Sequence, residues 1–518
     1  MMNRPSVYAI GRLILALLLA VTAMAGDPPQ PHGLCVVVPA TQADDLIGRT
    51  AGGRVLVHAL ATDPAAVPVL RSAIAAAGMS GLVTVVLWEG APVLPYAEDL
   101  VNDLVIDLDA LGQRAPSAAE IDRVLIPRHG QARIHERGAW RTHRRPMPAG
   151  YGEWTHWFHD ASNNPVSGDR ATGLATSLRW VAEPQGGGFD HRVVGNGLIV
   201  GGVQDLRWGF ANYSKIARAA GLRVRDAFNG LPTWETRSAD LKRYNVPRYE
   251  PLIIDGDRLI CLRERGGPLI ARSLADGREL MVFDAVPVND NAASVRVAAS
   301  TSSSVNIMVI LSDRRLIAVS GRDLVVLDAD TGRVLWRWQA GEGRYLAMPC
   351  VDPATGVLAV AEGGIGAASG RMTAFLPASV RGFNPADGTA KWHTPVVMKR
   401  SISNLLAMNG KIYMNNAPGL GERLLTVICL DAASGAVAWE QRDLDMPGVG
   451  TLLAYPHAVF MVTSSLHAFA AQDGRWLGSY ALGNSRCDVP RGTATTINNF
   501  GHYLRVDDPG SVLWQRAE

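Results

Sequence analysis

Cysteine is scarce and poorly placed for its usual roles. The chain has 5 in 518 residues, no two adjacent and none spaced C-x-x-C. That excludes a disulfide scaffold, a zinc ribbon and a thioredoxin-type motif. Cys35, Cys261 and Cys429 lie in apolar, strand-like runs and read as small buried hydrophobes. Cys350 and Cys487 sit in less regular sequence, and their pairing stays open. A charge of one sign is also lacking. Lys+Arg 50 against Asp+Glu 48 leaves +2, so there is no basic footprint and no nucleic-acid partner is expected. After the opening segment no apolar run is long enough to cross a bilayer, and no transmembrane span is predicted.

What is present is a large chain that can bury a core. Hydrophobic residues make up 47% and charged residues 19%, which excludes disorder and, at this length, suggests two or more domains. Gly 53 and Pro 30 favour many short strands joined by turns over a helical bundle. The first stretch carries Arg4 and Arg12, an apolar run from Leu13 to Val21, and Ala23-Met24-Ala25. This order reads as a secretory signal peptide over residues 1–25, with a mature chain from Gly26. The expected location is therefore exported, periplasmic or secreted.

Residues 26–132 read as a small α/β Rossmann-like domain. Strands are predicted at Leu34–Val38, Arg54–Ala59, Leu82–Leu87 and Val101–Ile106, and helices over Gln42–Arg49 and Ala65–Ala77, the latter ended by Gly78. Ser117 with Glu120 forms a capping-box pattern before a further helix. Strands alternating with helices imply a parallel, doubly wound sheet.

The order of these pieces resembles a class I methyltransferase. The resemblance rests on Leu94-Pro95-Tyr96-Ala97 leading into Asp103–Asp107, and on Arg123-Val124-Leu125-Ile126-Pro127-Arg128-His129-Gly130. It implies that Asp63 would hold the ribose of S-adenosylmethionine. The glycine-rich turn that such an enzyme needs after its first strand is missing. The sequence there is Val38-Pro39-Ala40-Thr41-Gln42-Ala43-Asp44, where each Cβ would hold a cofactor off the backbone and Pro39 removes a donor. The segment therefore reads as a degenerate relic of the fold.

Residues 133–177 read as a linker and interdomain segment. Arg133 to Pro148 carries five arginines and two prolines, as an exposed connection would. It leads into Gly152-Glu153-Trp154-Thr155-His156-Trp157-Phe158-His159-Asp160, then Asn163-Asn164-Pro165. His156, His159 and Asp160 are candidate metal ligands, with Asp190 and His191 as further donors. His-x-x-His alone is a weak pattern. The preferred reading is a packed segment anchored by Trp154 and Trp157, its histidines bonded to backbone.

Residues 178–518 contain a repeat. Asp226, Gly230 and Trp234 recur as Asp328, Gly332 and Trp336, and as Asp431, Gly435 and Trp439; Asn384, Gly388 and Trp392 keep the spacing with Asn for Asp. Ser273, Gly277 and Met281 form a weaker copy, and Gln472-Asp473-Gly474-Arg475-Trp476 a degenerate one. Each pattern joins two apolar runs, as Val325-Val326-Leu327 and Val334-Leu335-Trp336 show. The glycine would take a positive-φ turn position, the aspartate would accept the turn's amides, and the tryptophan would dock on the next unit. A four-stranded unit every 45 to 55 residues or so is a propeller blade.

The unit resembles the PQQ-type blade repeat. That repeat occurs in quinoprotein alcohol and glucose dehydrogenases and in a lipoprotein of the bacterial outer-membrane assembly machinery. The whole chain is similar to exported proteins of planctomycete type that carry a methyltransferase-like segment before such a propeller. The fold class this implies is mainly β: a PQQ-like propeller of six to eight four-stranded blades, closed or incomplete, after a small α/β domain. Ser177-Leu178-Arg179-Trp180 would supply an outer strand to close a ring. The resemblance also raises a PQQ cofactor with calcium. However, the vicinal cysteine pair of the large alcohol dehydrogenases is missing, and no base or calcium ligands align. The expected function is therefore an exported, non-catalytic scaffold binding a protein or glycan partner. A PQQ-dependent alcohol or sugar dehydrogenase is the alternative, and an S-adenosylmethionine-dependent methyltransferase the second alternative. No catalytic or cofactor-binding residue is assigned.

Overall fold

The computed structural model describes residues 33–90, 92–171, 180, 192–204, 219–236, 251–263, 267–286, 307–367, 373–398, 402–416, 424–446, 450–463, 465–481, 491–494, 496–499, 502–506 and 512–515. The signal segment, Asp190, His191 and Cys487 lie outside these residues. The chain divides into two compact units, one of residues up to 125 with 130–143, the other of 126–129 with 144–518.

The first unit is a six-stranded sheet in the order β3-β2-β1-β4-β5-β6. Its strands are β1 (Gly33–Val38), β2 (Val55–Ala61), β3 (Val83–Leu87), β4 (Asp103–Asp107), β5 (Gln131–Glu136) and β6 (Ala139–Arg144). The pairings of β1 with β2 and β4, of β2 with β3 and of β4 with β5 are all parallel, so the core is Rossmann-like. Alternation along β1 sets its two faces. Cys35 and Val37 pack with Val57, Val85 and the inner side of α2 (Ala66–Ala76), namely Val67, Leu70 and Ile74. Leu46 of the short α1 (Ala43–Gly48) joins them. Val36 and Val38 pack on the other face with Leu104, Ile106, Leu111 of α3 (Leu108–Leu111), and Ile121 and Val124 of α4 (Ala118–Val124). Each such fully buried aliphatic side chain contributes about 1.5–3 kcal/mol.

Two expectations need correction here. Ser117 Oγ does cap α4 by accepting from the Glu120 amide at 3.1 Å. Glu120, however, does not reach back to close a capping box. Its carboxylate accepts from the Leu94 amide at 2.7 Å and pairs with Arg123, because Arg123 also binds the carbonyls of Tyr96 and Leu94 and draws the acid to that loop. The arginine-rich stretch read as linker is strand: residues 131–144 form β5 and β6, turning at Arg137 and Gly138, both at positive φ. β6 is an edge strand whose residues are nearly all exposed, so it carries no alternating apolar signal.

The second unit is a β-propeller. Among the described residues it has seven four-stranded sheets, each with its strands in sequence order. They span 192–235, 252–282, 308–339, 345–395, 402–445, 451–481 and 491–515. First strands of the first six sheets lie against one another in order around the axis, and the fourth strands lie outermost.

The repeat sits at the hairpin between third and fourth strands. Asp328 Oδ1 accepts from the amides of Asp330 and Thr331 at 3.1 and 2.8 Å and from the Thr331 hydroxyl at 2.8 Å. The Gly332 amide bonds back to Asp328 O at 2.9 Å. Each outer tryptophan docks on the turn of the following sheet. Trp234 Nε1 donates to Leu274 O at 2.7 Å, Trp336 to Pro385 O at 2.9 Å, Trp392 to Ala432 O at 2.9 Å and Trp439 to Ala471 O at 3.1 Å. Trp180 does the same at the first sheet, donating to Ala227 O at 3.2 Å; residues 177–179 of its expected strand lie outside the described residues. The sixth copy is aligned differently from the sequence reading. Its turn runs from Ala470 to Gly474, with the Gly474 amide on Ala470 O at 2.9 Å. This puts Gly478 where tryptophan stands elsewhere, and Trp476 packs instead on His467 and Phe469.

Candidate functional site

The segment with the two candidate histidines runs round one end of the propeller axis. Trp154 exchanges backbone hydrogen bonds with Val194 at 2.7 and 2.8 Å, and Thr155 O accepts from Ile254 at 3.0 Å. His156 Nε2 accepts from the Leu311 amide at 3.0 Å. Ala161 O accepts from Val351 and Ser162 O from Ala407, both at 2.8 Å. The Asn164 amide group pairs with both the N–H and C=O of Ala454, at 2.9 and 2.8 Å. Pro165 O accepts from Gly492 at 2.7 Å, and the Ser167 amide donates to Gly492 O at 3.0 Å. These partners are the last or next-to-last residues of the first strands of sheets one to seven, taken in order. The belt then returns to its start, where Arg170 and Ala171 donate to Gly150 O at 2.8 and 3.2 Å and the Gly152 amide bonds Asp169 Oδ2 at 2.9 Å.

His156 and Asp160 are committed within this belt, and His159 lies beside them. His156 is buried, and burial pushes its pKa down to about 4, so it is neutral. With Nε2 accepting an amide, Nδ1 carries the proton and donates to Thr155 Oγ1 at 2.8 Å. Its lone pair therefore accepts a backbone amide. His159 packs edge-on against Trp154 at φ 84, with Nδ1 3.2 Å from Asp160 Oδ2. Burial pushes Asp160 up, but His159 and the hydroxyl and amide of Ser162, at 2.5 and 2.8 Å, hold it below the usual carboxylate range.

Trp157, Phe158 and Asn163 of the belt line a pocket of ≈ 50 Å³ with Leu252, Ile253, Met308, Ile310, Met348 and Pro349. Its walls are mostly apolar, and the Asn163 amide is taken by Pro349 O and Leu405 O at 2.8 and 3.3 Å. A quinone with three carboxylates and a calcium ion needs oxygen ligands and cationic donors. Among the residues lining this pocket there is no carboxylate and no cationic side chain, and the amide of Asn163 carries the one side-chain oxygen. The pocket does not fit that cofactor pair.

In the α/β unit the ribose-binding acid expected from the resemblance, Asp63, accepts from the Ala65 amide at 2.9 Å and starts α2. The glycine-free turn is closed over the sheet, with the Ala40 amide on Leu60 O at 2.8 Å. One cluster escaped the sequence reading. Asp107, Asp109 and His135 place ligand atoms within 4.8 Å of one another, the one such trio among the described residues. His135 Nδ1 lies 3.0 Å from Asp107 Oδ1 and 3.8 Å from Asp109 Oδ2. The hydrogen bond to Asp107 raises the His135 pKa. Asp109 is held low by the amides of Gly138 and Arg137, at 2.8 and 2.9 Å. The Asp-x-Asp spelling was its only sequence signal, and the distant histidine gave none.

Fold and repeat together define a PQQ-like β-propeller protein with a Rossmann-like unit before the propeller. A family model described as outer membrane protein assembly factor BamB matches residues 284–418 and 377–497, less than half of the chain. A search of curated proteins finds no match. Solved structures similar to the chain include BamB from Moraxella catarrhalis, at 15% identity and TM-score 0.40, covering 62% of this chain and 80% of that one. Quinohemoprotein alcohol dehydrogenase ADHIIG from Pseudomonas putida HK5 has 12% identity and TM-score 0.39, covering 68% and 76%. Likenesses of this size decide nothing about activity.

Proposed function

We propose that the protein is an exported, non-catalytic scaffold whose propeller holds a protein or glycan partner at the end opposite the belt. One observation carries this reading: the polarity of the sheets. The belt and the short turns share one end. First and second strands are joined there by two residues at 196–197, 256–257, 313–314 and 409–410. Antiparallel geometry puts every second-to-third and sheet-to-sheet connection at the other end. The strand ends Gln204 and Ala219, Glu235 and Leu252, and Val282 and Met308 lie there. Connections carried on a rigid frame are where recognition commonly resides. The matching family description, an assembly factor, supports the same reading.

Site-specific photo-crosslinking in cells tests it. Crosslinkers at residues 212 and 295 should capture a defined partner, and crosslinkers at Asp330 and Asp387, on the turn end, should not. Capture confined to the turn end would sink the proposal. So would saturable one-to-one binding of PQQ with calcium, followed by tryptophan fluorescence and accompanied by dye-linked alcohol oxidation.

A further inference from the structure

The sheet of the α/β unit is covered unevenly. On the face of Cys35, Val37 and Val57, α1 and α2 pack over the half formed by β1–β3. The helices packed on the other face are α3 and α4. Along β4–β6 the first face therefore has no helix of its own among the described residues. A cleft of ≈ 320 Å³ lies there, lined by Arg49, Val105, Arg133, Trp140, Arg141 and Thr142.

Its lining is chemically specific. Trp140 is 59% exposed, yet its ring is braced against His135 at 5.1 Å between centroids. It is a fixed flat surface facing solvent. Three arginines line the cleft and no carboxylate does. Each arginine has an acid alongside: Arg49 with Asp45 at 2.8 Å, Arg141 with Glu136 at 3.2 Å, and Arg133 with Asp103 at only 3.9 Å. A guanidinium has five N–H donors, so one carboxylate partner leaves others to offer. Arg133, the most loosely held, and Thr142 both belong to the lining.

We propose that this cleft binds an acidic saccharide. The C–H face of a pyranose would stack on Trp140, its carboxylate would take donors from Arg133 and a flanking arginine, and a ring hydroxyl would bond Thr142. The charge balance favours this ligand over a phosphate or nucleotide. Three arginines set against three carboxylates leave no net positive field for a dianion. They do leave local donors for a single carboxylate on an otherwise neutral polyol. The site lies wholly within the α/β unit and stands whether or not the propeller reading holds.

Calorimetric titration of the full chain with a galacturonate trimer tests it, with a neutral galactose trimer, inorganic phosphate and AMP as comparison probes. Saturable binding of the uronate is expected, at least about tenfold tighter than the neutral trimer. Arg133→Gln and Trp140→Ala should each weaken it by about tenfold or more. Arg278→Gln, in the propeller, should leave it unchanged. Both cleft side chains are largely exposed, so melting curves should match the parent and separate lost binding from lost folding. No heat with the uronate up to about 10 mM, unchanged affinity in both cleft variants, or equal binding of phosphate or AMP would each overturn the proposal.

Discussion

At the scale of single residues, two glycines of the same motif face different neighbours. Gly332 and Gly388 both sit at positive φ, 69 and 76, so alanine pays the left-handed penalty of about 1–2 kcal/mol at either. A Cβ at Gly388 would lie 2.7 Å from Cδ2 of Trp336, whereas at Gly332 the nearest atom is Met281 Sδ at 3.6 Å. Overpacking costs about 1–3 kcal/mol more. Gly388→Ala should therefore destabilise the propeller by about 2–5 kcal/mol and Gly332→Ala by about 1–2 kcal/mol. Urea unfolding followed by tryptophan emission reads the difference, and equal losses would refute the docking role. The motif's aspartate and tryptophan were legible in sequence because each acts at a fixed offset. The second reason for its glycine was not, since it lies one blade away.

His156 gives a pH test at the same scale. Its folded pKa, about 4, lies below the ordinary 6.5, so the unfolded chain binds more protons between these values. Stability is then full above pH 6.5, falls as the pH drops towards 4, and levels off below. The shift corresponds to about 3 kcal/mol. His156→Gln should flatten this part of the melting-temperature profile between pH 6.5 and 4. An unchanged slope would assign it to other groups.

At the scale of elements, the belt is an extended segment whose side chains imitate strand pairing. Asn164 supplies one donor and one acceptor to Ala454. Replacing it with leucine strands two buried backbone groups at about 1–3 kcal/mol each. Asn164→Leu should lower stability by about 2–5 kcal/mol and speed hydrogen exchange at the Ala454 amide far more than at amides of the first sheet. Uniform acceleration across all sheets would mean that the residue does not act locally. None of this was legible beforehand. Asn163-Asn164-Pro165 reads as a turn, and its partners lie 186 to 290 residues away. By contrast, β1 to β4 and the blade hairpins could be read because apolar alternation and turn chemistry are local. β6 failed for the opposite reason, since an exposed edge strand whose one large apolar side chain, Trp140, faces solvent leaves no buried apolar face to detect.

At the scale of the whole propeller, the belt makes seven sheets answer to one segment. Sheets packed side by side bury apolar faces between neighbours, which fixes each sheet only to the next. The belt adds bonds to all seven and closes on itself at Gly150, Gly152 and Asp169. That closure is tight: a Cβ on Gly152 would lie 2.8 Å from Asp169 Cβ and 2.9 Å from its backbone nitrogen. Backbone does not yield as a flexible side-chain end would. Gly152→Val should therefore part the two ends of the belt while leaving every strand sequence intact. If the belt couples the ring, unfolding of the propeller should shift by several degrees, at about 2–4 °C for each kcal/mol lost, and lose cooperativity. Separate transitions should then appear when tryptophan emission and far-UV dichroism are compared. A ring held together by sheet-to-sheet contacts alone would melt as before, in one coincident step, because the substitution touches no blade interface.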